Sequence, residues 1–453
     1  MIERRRRTTT RPGVSGARCA LGIALLLVAC GPAPGAGMEA LTGATLIDVV
    51  TGRPLSDAVI LVRDGHIVAV GAADAVPVPR GADVSDLRGR WIVPGFIDAH
   101  THLQPWGLGV ALRYGVTAVR DLHEGTTLAD TLRAVAARAP APRLFLAVAM
   151  LDGPPTTYPD AWPVSSPDSA DAAVGRLVDR GAAWVKVYTR ITPDVLEAIV
   201  NAARVRQLPV AAHLGFTDAI TAADLGVTSV EHLSGVPEAA GDSTMLFAAH
   251  AQGFFPGWTA FERSWSTLDT AALAVVGREL AARRVFLVPT LVLHETLSRL
   301  DDSSIYHSAD LRRVPDSARR DWNVAGMIKR AGWTRADFAA FRAARPSQDF
   351  VLRTFVASGG RVAAGTDASN QLLVPGASLH TEMELLVRAG LSSLTALRAA
   401  TSWAADLLRA DSLGRLRPGA AADLVVLGAD PLADIRNTRQ VVRVMLGGKW
   451  VGP

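Results

Sequence analysis

The sequence predicts an α/β protein, a (β/α)8 barrel carrying a small β-rich domain contributed by both chain ends. Three observations predict it. The chain has 453 residues with 49% hydrophobic and 20% charged residues, enough for a large core. Its middle alternates strand-like apolar runs with helical ones, the signature of parallel β/α units. Both ends carry short strand-like runs separated by turn residues.

The first 29 residues read as a secretion leader. Arg4, Arg5, Arg6, Arg7, Arg11 and Arg18 precede an apolar run at 21–29 that is too short to span a bilayer. Leu27-Val28-Ala29-Cys30 resembles the bacterial lipobox, which makes Cys30 the expected lipidation site and membrane anchor. A Gly- and Pro-rich tether follows over 30–38. Removing 1–29 lowers the count from 47 basic and 43 acidic residues to 41 and 42. The remaining chain is near neutral, which excludes a nucleic-acid-binding surface. Cys19, the other cysteine, leaves with the leader, so no disulfide is expected despite export. The expected location is the periplasmic or cell-surface side of a bacterial membrane, and oligomer formation stays open.

Within 39–90, the run 41–50 is strand-like, Thr51-Gly52-Arg53-Pro54 is a turn, and 58–63 and 67–70 flank an Asp64-Gly65 hairpin signal. The C-terminal piece has the same character, with strand-like runs at 423–427 and 441–446 before Gly447-Gly448. Between them lie eight strand-like runs, at 92–99, 116–122, 144–150, 184–188, 210–213, 229–232, 285–291 and 361–365. The clearest helix is predicted at 194–207. Thr192 is its N-cap, Pro193 its first residue, and Leu196, Ile199, Val200 and Ala203 its apolar stripe. The stretch 296–346 follows the seventh strand without strand character and is predicted to be a helical, lid-like insertion.

Residues that carry chemistry fall at the ends of these runs. In Pro94-Gly95-Phe96-Ile97-Asp98-Ala99-His100-Thr101-His102, strand alternation puts His100 and His102 on one face, where two imidazoles can hold a metal ion. Lys186 lies mid-strand in Trp184-Val185-Lys186-Val187-Tyr188, where burial disfavours an ammonium. A neutral amine there can add carbon dioxide to give a carbamate, a two-oxygen ligand able to bridge two cations. His213 and His232 close the fifth and sixth strands, and Asp367 follows the eighth. In a closed barrel all six converge on one mouth. Their nitrogen and oxygen donors suit two divalent ions, with zinc favoured.

Together these segments resemble the amidohydrolase superfamily over nearly all of 40–453. The resemblance extends to Leu397-Arg398-Ala399-Ala400-Thr401, Gly414-Arg415-Leu416-Arg417-Pro418-Gly419 and Ala422-Asp423-Leu424-Val425-Val426-Leu427. It implies a distorted (β/α)8 barrel over 91–410 and a small β-sandwich from 39–90 and 411–453. It implies that His100, His102 and Asp367 hold one metal, His213 and His232 a second, and carboxylated Lys186 bridges them. Asp367 would then serve as general base and acid. Gly115-Val116-Thr117-Ala118-Val119-Arg120-Asp121 and His380-Thr381-Glu382-Met383-Glu384-Leu385-Leu386 resemble the imidazolonepropionase-like branch, which includes Xaa-Pro dipeptidases. The chain departs from the dipeptidases after the third strand, where Leu151-Asp152-Gly153-Pro154-Pro155-Thr156-Thr157-Tyr158 replaces a Gly-Gly-His-Gly-like loop.

The expected activity is cleavage of an amide or peptide C–N bond in a small substrate of dipeptide or N-acyl amino acid type. Alternatives are a lactone, carbamate or cyclic-amide hydrolase using the same site, or a non-catalytic surface-binding lipoprotein. Tyr188, His123, His294 and Tyr158 are the candidate substrate contacts, each near a strand end or in the altered loop. Asp98 is expected either to orient a ligand or to be a buried structural carboxylate, and His380 to pack at the mouth.

Overall fold

A computed structural model describes residues 35–123 and 125–452. The leader, Cys30 and the first part of the tether lie outside the described residues. The N-terminal strands are β1 (Met38–Ile47), β2 (Pro54–Arg63), β3 (His66–Ala72), β4 (Asp83–Asp86) and β5 (Trp91–Pro94). The middle contributes β6 (Phe96–Thr101), β7 (Val116–Asp121), β8 (Arg143–Leu146), β9 (Met150–Asp152) and β10 (Trp162–Pro163). It continues with β11 (Val185–Val187), β12 (Val210–Ala212), β13 (Ser229–Glu231), β14 (Phe286–Val288) and β15 (Arg361–Val362). The chain ends with β16 (Leu424–Leu427), β17 (Val441–Leu446) and β18 (Lys449–Trp450).

Among the described residues these strands form three sheets. Both chain ends share one of eight strands, ordered β18-β17-β16-β5-β1-β2-β3 with β4 beside β1. The antiparallel pairing of β16 with β5 joins the two ends, and Leu41, Ile60, Ile92, Leu424 and Val426 pack into one cluster beneath it. Asp64 (φ 50) and Gly65 (φ 79) supply the two positive φ angles that a two-residue hairpin needs between β2 and β3.

The middle is α/β with parallel pairing throughout. One sheet runs β6-β7-β8, the other β10-β9-β11-β12-β13-β14-β15. Backbone hydrogen bonds connect them in two places, beside β15 and just before β11. Ala99 N–H donates to the Ala364 carbonyl (2.8 Å) and Ala183 N–H to the Leu146 carbonyl (2.8 Å). Strand alternation sorts the core. Val185, Val187, Val210, Ala212, Val230, Leu287 and Val362 join the helix-packed cluster, whereas Trp184, Ala211, Phe286, Val288 and Ala363 form a separate one on the opposite face. The helix Pro193–Val205 starts at Pro193 after Thr192, whose hydroxyl donates to Asp194 (2.5 Å), and buries Leu196, Ile199, Val200 and Ala203.

Four details differ from the sequence reading. The run 92–99 is two strands, because Gly95 breaks it, so β5 lies in the end sheet and that sheet extends past residue 90. The third run breaks between β8 and β9, where Val148 adopts φ 70. The insertion at 296–346 is helical but not self-contained, since the helix Arg335–Ala357 runs through its upper bound. A second helical segment, from Val236–Ala240 to Phe254–Ser264 between β13 and β14, went unforeseen because an apolar helical face does not tell what it covers. The two segments are tied together. Trp333 donates its indole N–H to Thr259 (2.8 Å) and Arg263 pairs with Asp337 (2.5 Å).

At Gly95 an added Cβ would lie 2.1 Å from Thr117 Oγ1 and 2.6 Å from its Cγ2. Gly95→Ala should therefore lower stability by about 1–3 kcal/mol in urea titration, and adding Thr117→Ala should recover much of the loss. A second outcome concerns Glu382, buried on the helix Ala377–Arg388 and accepting from Val292 N–H (2.7 Å). Burial pushes its carboxyl up to about 8, from an ordinary 4.5. A raised carboxyl favours the protonated fold, so stability falls as pH rises from about 4.5 to 8. Glu382→Gln should match the wild type near the lower limit and exceed it at the upper one, read as the unfolding midpoint across pH.

Candidate functional site

The site is assembled from strand ends whose backbone departs from regular geometry. In β13, alternation sends Ser229 and Glu231 to the interior, so the next residue, His232, should face the helices. Its left-handed backbone (φ 59) turns the ring back toward the mouth. Asp367 (φ 63), in the turn after β15, also has left-handed backbone. This second turn is held against β6, because Thr366 N–H (3.0 Å) and Asp367 N–H (2.8 Å) both donate to the His100 carbonyl. The approach requires Gly365, where a Cβ would stand 2.7 Å from His100 Cβ and 2.9 Å from its amide nitrogen. Asp98 braces the turn, accepting from Thr366 N–H (3.1 Å) and its hydroxyl (2.7 Å). Asp98 thus positions the Asp367 backbone rather than a ligand ring, and burial raises its carboxyl to about 7.

The imidazoles are oriented by their second nitrogens. His102 Nδ1 donates to the His123 carbonyl (3.0 Å), placing Nε2 2.9 Å from Asp367 Oδ1. His100 Nδ1 is 2.6 Å from Glu231 Oε2, and its Nε2 is 3.1 Å from the same Asp367 oxygen. That ring nitrogen and that carboxylate oxygen are buried with no hydrogen-bond partner among the described residues. One donor atom each from His100, His232 and Asp367 lie within 4.8 Å of one another, the spacing of a metal-binding group. His232 Nδ1 contacts Thr290 Oγ1 at 2.7 Å, and the His213 ring centre lies 4.6 Å from that of His232. Burial drives His213 and His232 well below the ordinary histidine value, so both are neutral. At Asp367 burial is outweighed by His102 and His100, which hold the carboxyl well below its usual range. Lys186 Nζ is buried without a hydrogen-bond partner among the described residues, and burial lowers it to about 8.

Beneath these groups is a charged network that sequence reasoning missed. Arg120 Nη2 donates to both Glu231 oxygens (2.9 Å each), Nη1 to Ser229 Oγ (2.9 Å) and Nε to the Ala99 carbonyl (2.5 Å). Its guanidinium lies 4.4 Å above the Trp184 ring. Arg120 and Glu231 are both fully buried, and Arg120 with His100 outweighs desolvation to hold Glu231 down at about 2. The signal was available: each is an ionisable residue inside an apolar strand, on the same alternation parity as the interior residues.

The mouth opens into a cavity of about 620 Å³. His102, Lys186, His213, His232 and Asp367 line it, as do Tyr158, Tyr188 and His123 from the candidate substrate contacts. The Tyr158 and Tyr188 rings are 5.6 Å apart; Tyr158 is exposed, whereas Tyr188 is buried, and burial raises its phenol well above the ordinary value. The altered loop is pinned by Asp152, which accepts from the amides of Gly153 (2.9 Å), Thr157 (2.7 Å) and Arg190 (3.0 Å). His294 is a correction. It is buried off the cavity wall, with Nδ1 on Glu262 (2.5 Å) and Nε2 on the His232 carbonyl (3.2 Å), so no ring nitrogen is left for a substrate. His380 is another, bonded to Thr438 (2.9 Å) and the Tyr114 carbonyl (2.9 Å) and packed on Phe96, at the end of β6 away from His100.

Comparison with known proteins accords with this arrangement. Residues 91–451 match the Amidohydrolase family. The chain belongs to the amidohydrolase family. Imidazolonepropionase of Chromobacterium violaceum is 28% identical over 405 residues, covering 84% of this chain and 88% of that protein. The match to imidazolonepropionase of Symbiobacterium thermophilum is 38% identical but spans only 27% of that protein. Among solved structures, bottromycin amidohydrolase superposes with a TM-score of 0.69 at 27% identity, over 92% of this chain and 87% of the other. A Xaa-Pro dipeptidase with bound methionine in its active site superposes with a TM-score of 0.66 at 19% identity, over 92% and 100% of the two chains. Such neighbours imply a TIM-barrel-like domain for this amidohydrolase. It is a hydrolase of carbon–nitrogen bonds, and its family acts with metal ions on small molecules.

Glu231→Gln should cost about 3–5 kcal/mol in chemical denaturation, because it leaves a buried guanidinium without its counter-charge. Adding Arg120→Met should restore part of that stability.

Proposed function

We propose that this amidohydrolase is an exported, membrane-anchored binuclear enzyme that cleaves the amide bond of a dipeptide or N-acyl amino acid. In this reading the parallel strands, from β6 onward to residue 410, form a distorted (β/α)8 barrel. A small β-sandwich is drawn from the N-terminal strands through β5 and from 411–453, and Cys30 carries the lipid anchor after loss of residues 1–29. The observation that carries the metal assignment is the unpartnered pair of lone-pair atoms, His100 Nε2 and Asp367 Oδ1, facing each other at 3.1 Å beside a buried Lys186 amine. Two acceptors at that separation repel unless a cation lies between or beside them.

His100, His102 and Asp367 would hold one divalent ion, most simply zinc, His213 and His232 a second, and carboxylated Lys186 both. When bound, the ions supply an acidified water and a polarised carbonyl. The chain's own groups do the rest. Burial lowers the Lys186 ammonium toward neutrality, which frees the amine to add carbon dioxide and lose a proton. Asn370 Nδ2 donates to Asp367 Oδ2 (2.6 Å) and orients the carboxylate, so that with Oδ1 on the side of the histidine ligands, Oδ2 would take a proton from the attacking water and return it to the leaving amine. The protonated Tyr158 and Tyr188 and the ring of His123 line the cavity as donors to substrate oxygens. The fold likeness to a Xaa-Pro dipeptidase supports the dipeptide class, and the family supports cleavage of a C–N bond.

Elemental analysis and a screen of dipeptides and N-acyl amino acids with zinc added test this reading. Two metals per chain and amide hydrolysis are expected, with Lys186→Ala losing most of both. Full turnover and two metals in that variant would remove the carbamate bridge.

A further inference from the structure

The cavity wall facing the proposed ligands comes from the two tied helical segments over the mouth. Phe254, Phe255 and Trp258 are supplied by one, Met327, Arg330 and Trp333 by the other. The Phe254 and Trp258 rings stack at 6.0 Å, and Phe255 meets Trp333 edge-on at 5.8 Å, so the apolar surface is already built. Met327 and Arg330 are three residues apart on the helix Val324–Ala331 and therefore share a face. That helix ends at Gly332 (φ 67), which returns the chain so that Trp333 joins the same wall. Arg330 is exposed and has no ion pair or hydrogen bond among the described residues, and no other arginine among them lines the cavity. The cavity carboxylates are committed elsewhere: Asp160 lies 3.2 Å from His123, and Asp367 accepts from Asn370 through Oδ2 while its Oδ1 faces the proposed metal ligands.

We propose that Arg330 anchors the carboxylate of the substrate's amino acid and that the aromatic wall beside it receives a bulky apolar side chain of that same residue. The preferred substrates are then N-acyl or dipeptidyl derivatives of large apolar amino acids. This rests on the amide-hydrolase reading above and narrows it. A free guanidinium recognises a carboxylate through paired, charge-assisted hydrogen bonds. An adjoining aromatic surface takes up apolar area and selects against small or charged side chains. The cation and part of the apolar wall, Met327 and Trp333, come from one short segment, 327–333, and Phe254, Phe255 and Trp258 complete the wall beside them, so a carboxylate and an apolar side chain of one amino acid can be held together.

The test compares glycyl-phenylalanine, glycyl-phenylalaninamide and glycyl-glycine on zinc-loaded wild type, Arg330→Gln and Arg330→Lys. Wild type should prefer the free acid to the amide and phenylalanine to glycine. Arg330→Gln should raise KM for the acid by about 10–100-fold, the effect of losing one charge-assisted pair, with kcat nearly unchanged and the amide hydrolysed as before. Arg330→Lys should retain part of the preference. An acid-to-amide ratio that is the same in wild type and Arg330→Gln would overturn the anchor. Calorimetric binding of N-acetyl-phenylalanine separates this from failure of the parent reading. If no amide is cleaved, weaker binding to Arg330→Gln still supports the anchor, and equal or absent binding to both proteins overturns it.

Discussion

The buried chain of contacts from Arg120 through Glu231 to His100 is the constraint on which the site depends. Arg120 and Glu231 have both been taken fully out of water, which costs several kcal/mol per ion unless geometry compensates. Compensation here is complete: the guanidinium satisfies both Glu231 oxygens, Ser229 and the Ala99 carbonyl, and rests on Trp184. The consequence is directional. A carboxylate fixed by arginine can accept only from His100 Nδ1, and that leaves His100 Nε2 pointing at Asp367. Sequence-distant strands β6, β7 and β13 are thereby locked at one level of the interior.

A second device closes the ring of ligands. The turn after β15 lies on the backbone of His100, possible because residue 365 has no side chain, and Asp98 holds it there through Thr366. Left-handed backbone at His232 then redirects a side chain that a regular strand would point outward, and Asp367 in the turn after β15 has left-handed backbone as well. Strain of this kind is stable only where the surroundings over-determine it, and here hydrogen bonds from neighbouring strands do so.

Much of the candidate site was legible in sequence because strand ends carry period-two information. Trp184, Lys186 and Tyr188 share a face, and the structure buries the first among interior side chains and brings the other two to the cavity. Where the period breaks, reading fails. Gly95 looks like one residue inside a continuous apolar run, yet it divides two sheets, since only the close approach of Thr117 shows what its missing Cβ permits. His294 looks like any strand-end histidine, and only its partners Glu262 and the His232 carbonyl, distant in sequence, remove it from the cavity. The aromatic wall of Phe254, Phe255 and Trp258 was invisible for the same reason: helical spacing tells that a face is apolar, not what it covers.

The sequence by itself determined the residue types at each strand end, the alternation that groups them, the α/β class and the family. These follow from local periodicity and from motifs contiguous in the chain. Tertiary structure alone decided which nitrogens are free, which carboxylate orients which ring, and which segments roof the cavity. Those properties depend on contacts between residues more than a hundred positions apart, such as His100 with Glu231 and Asp98 with Thr366, and no local pattern encodes their distance or direction.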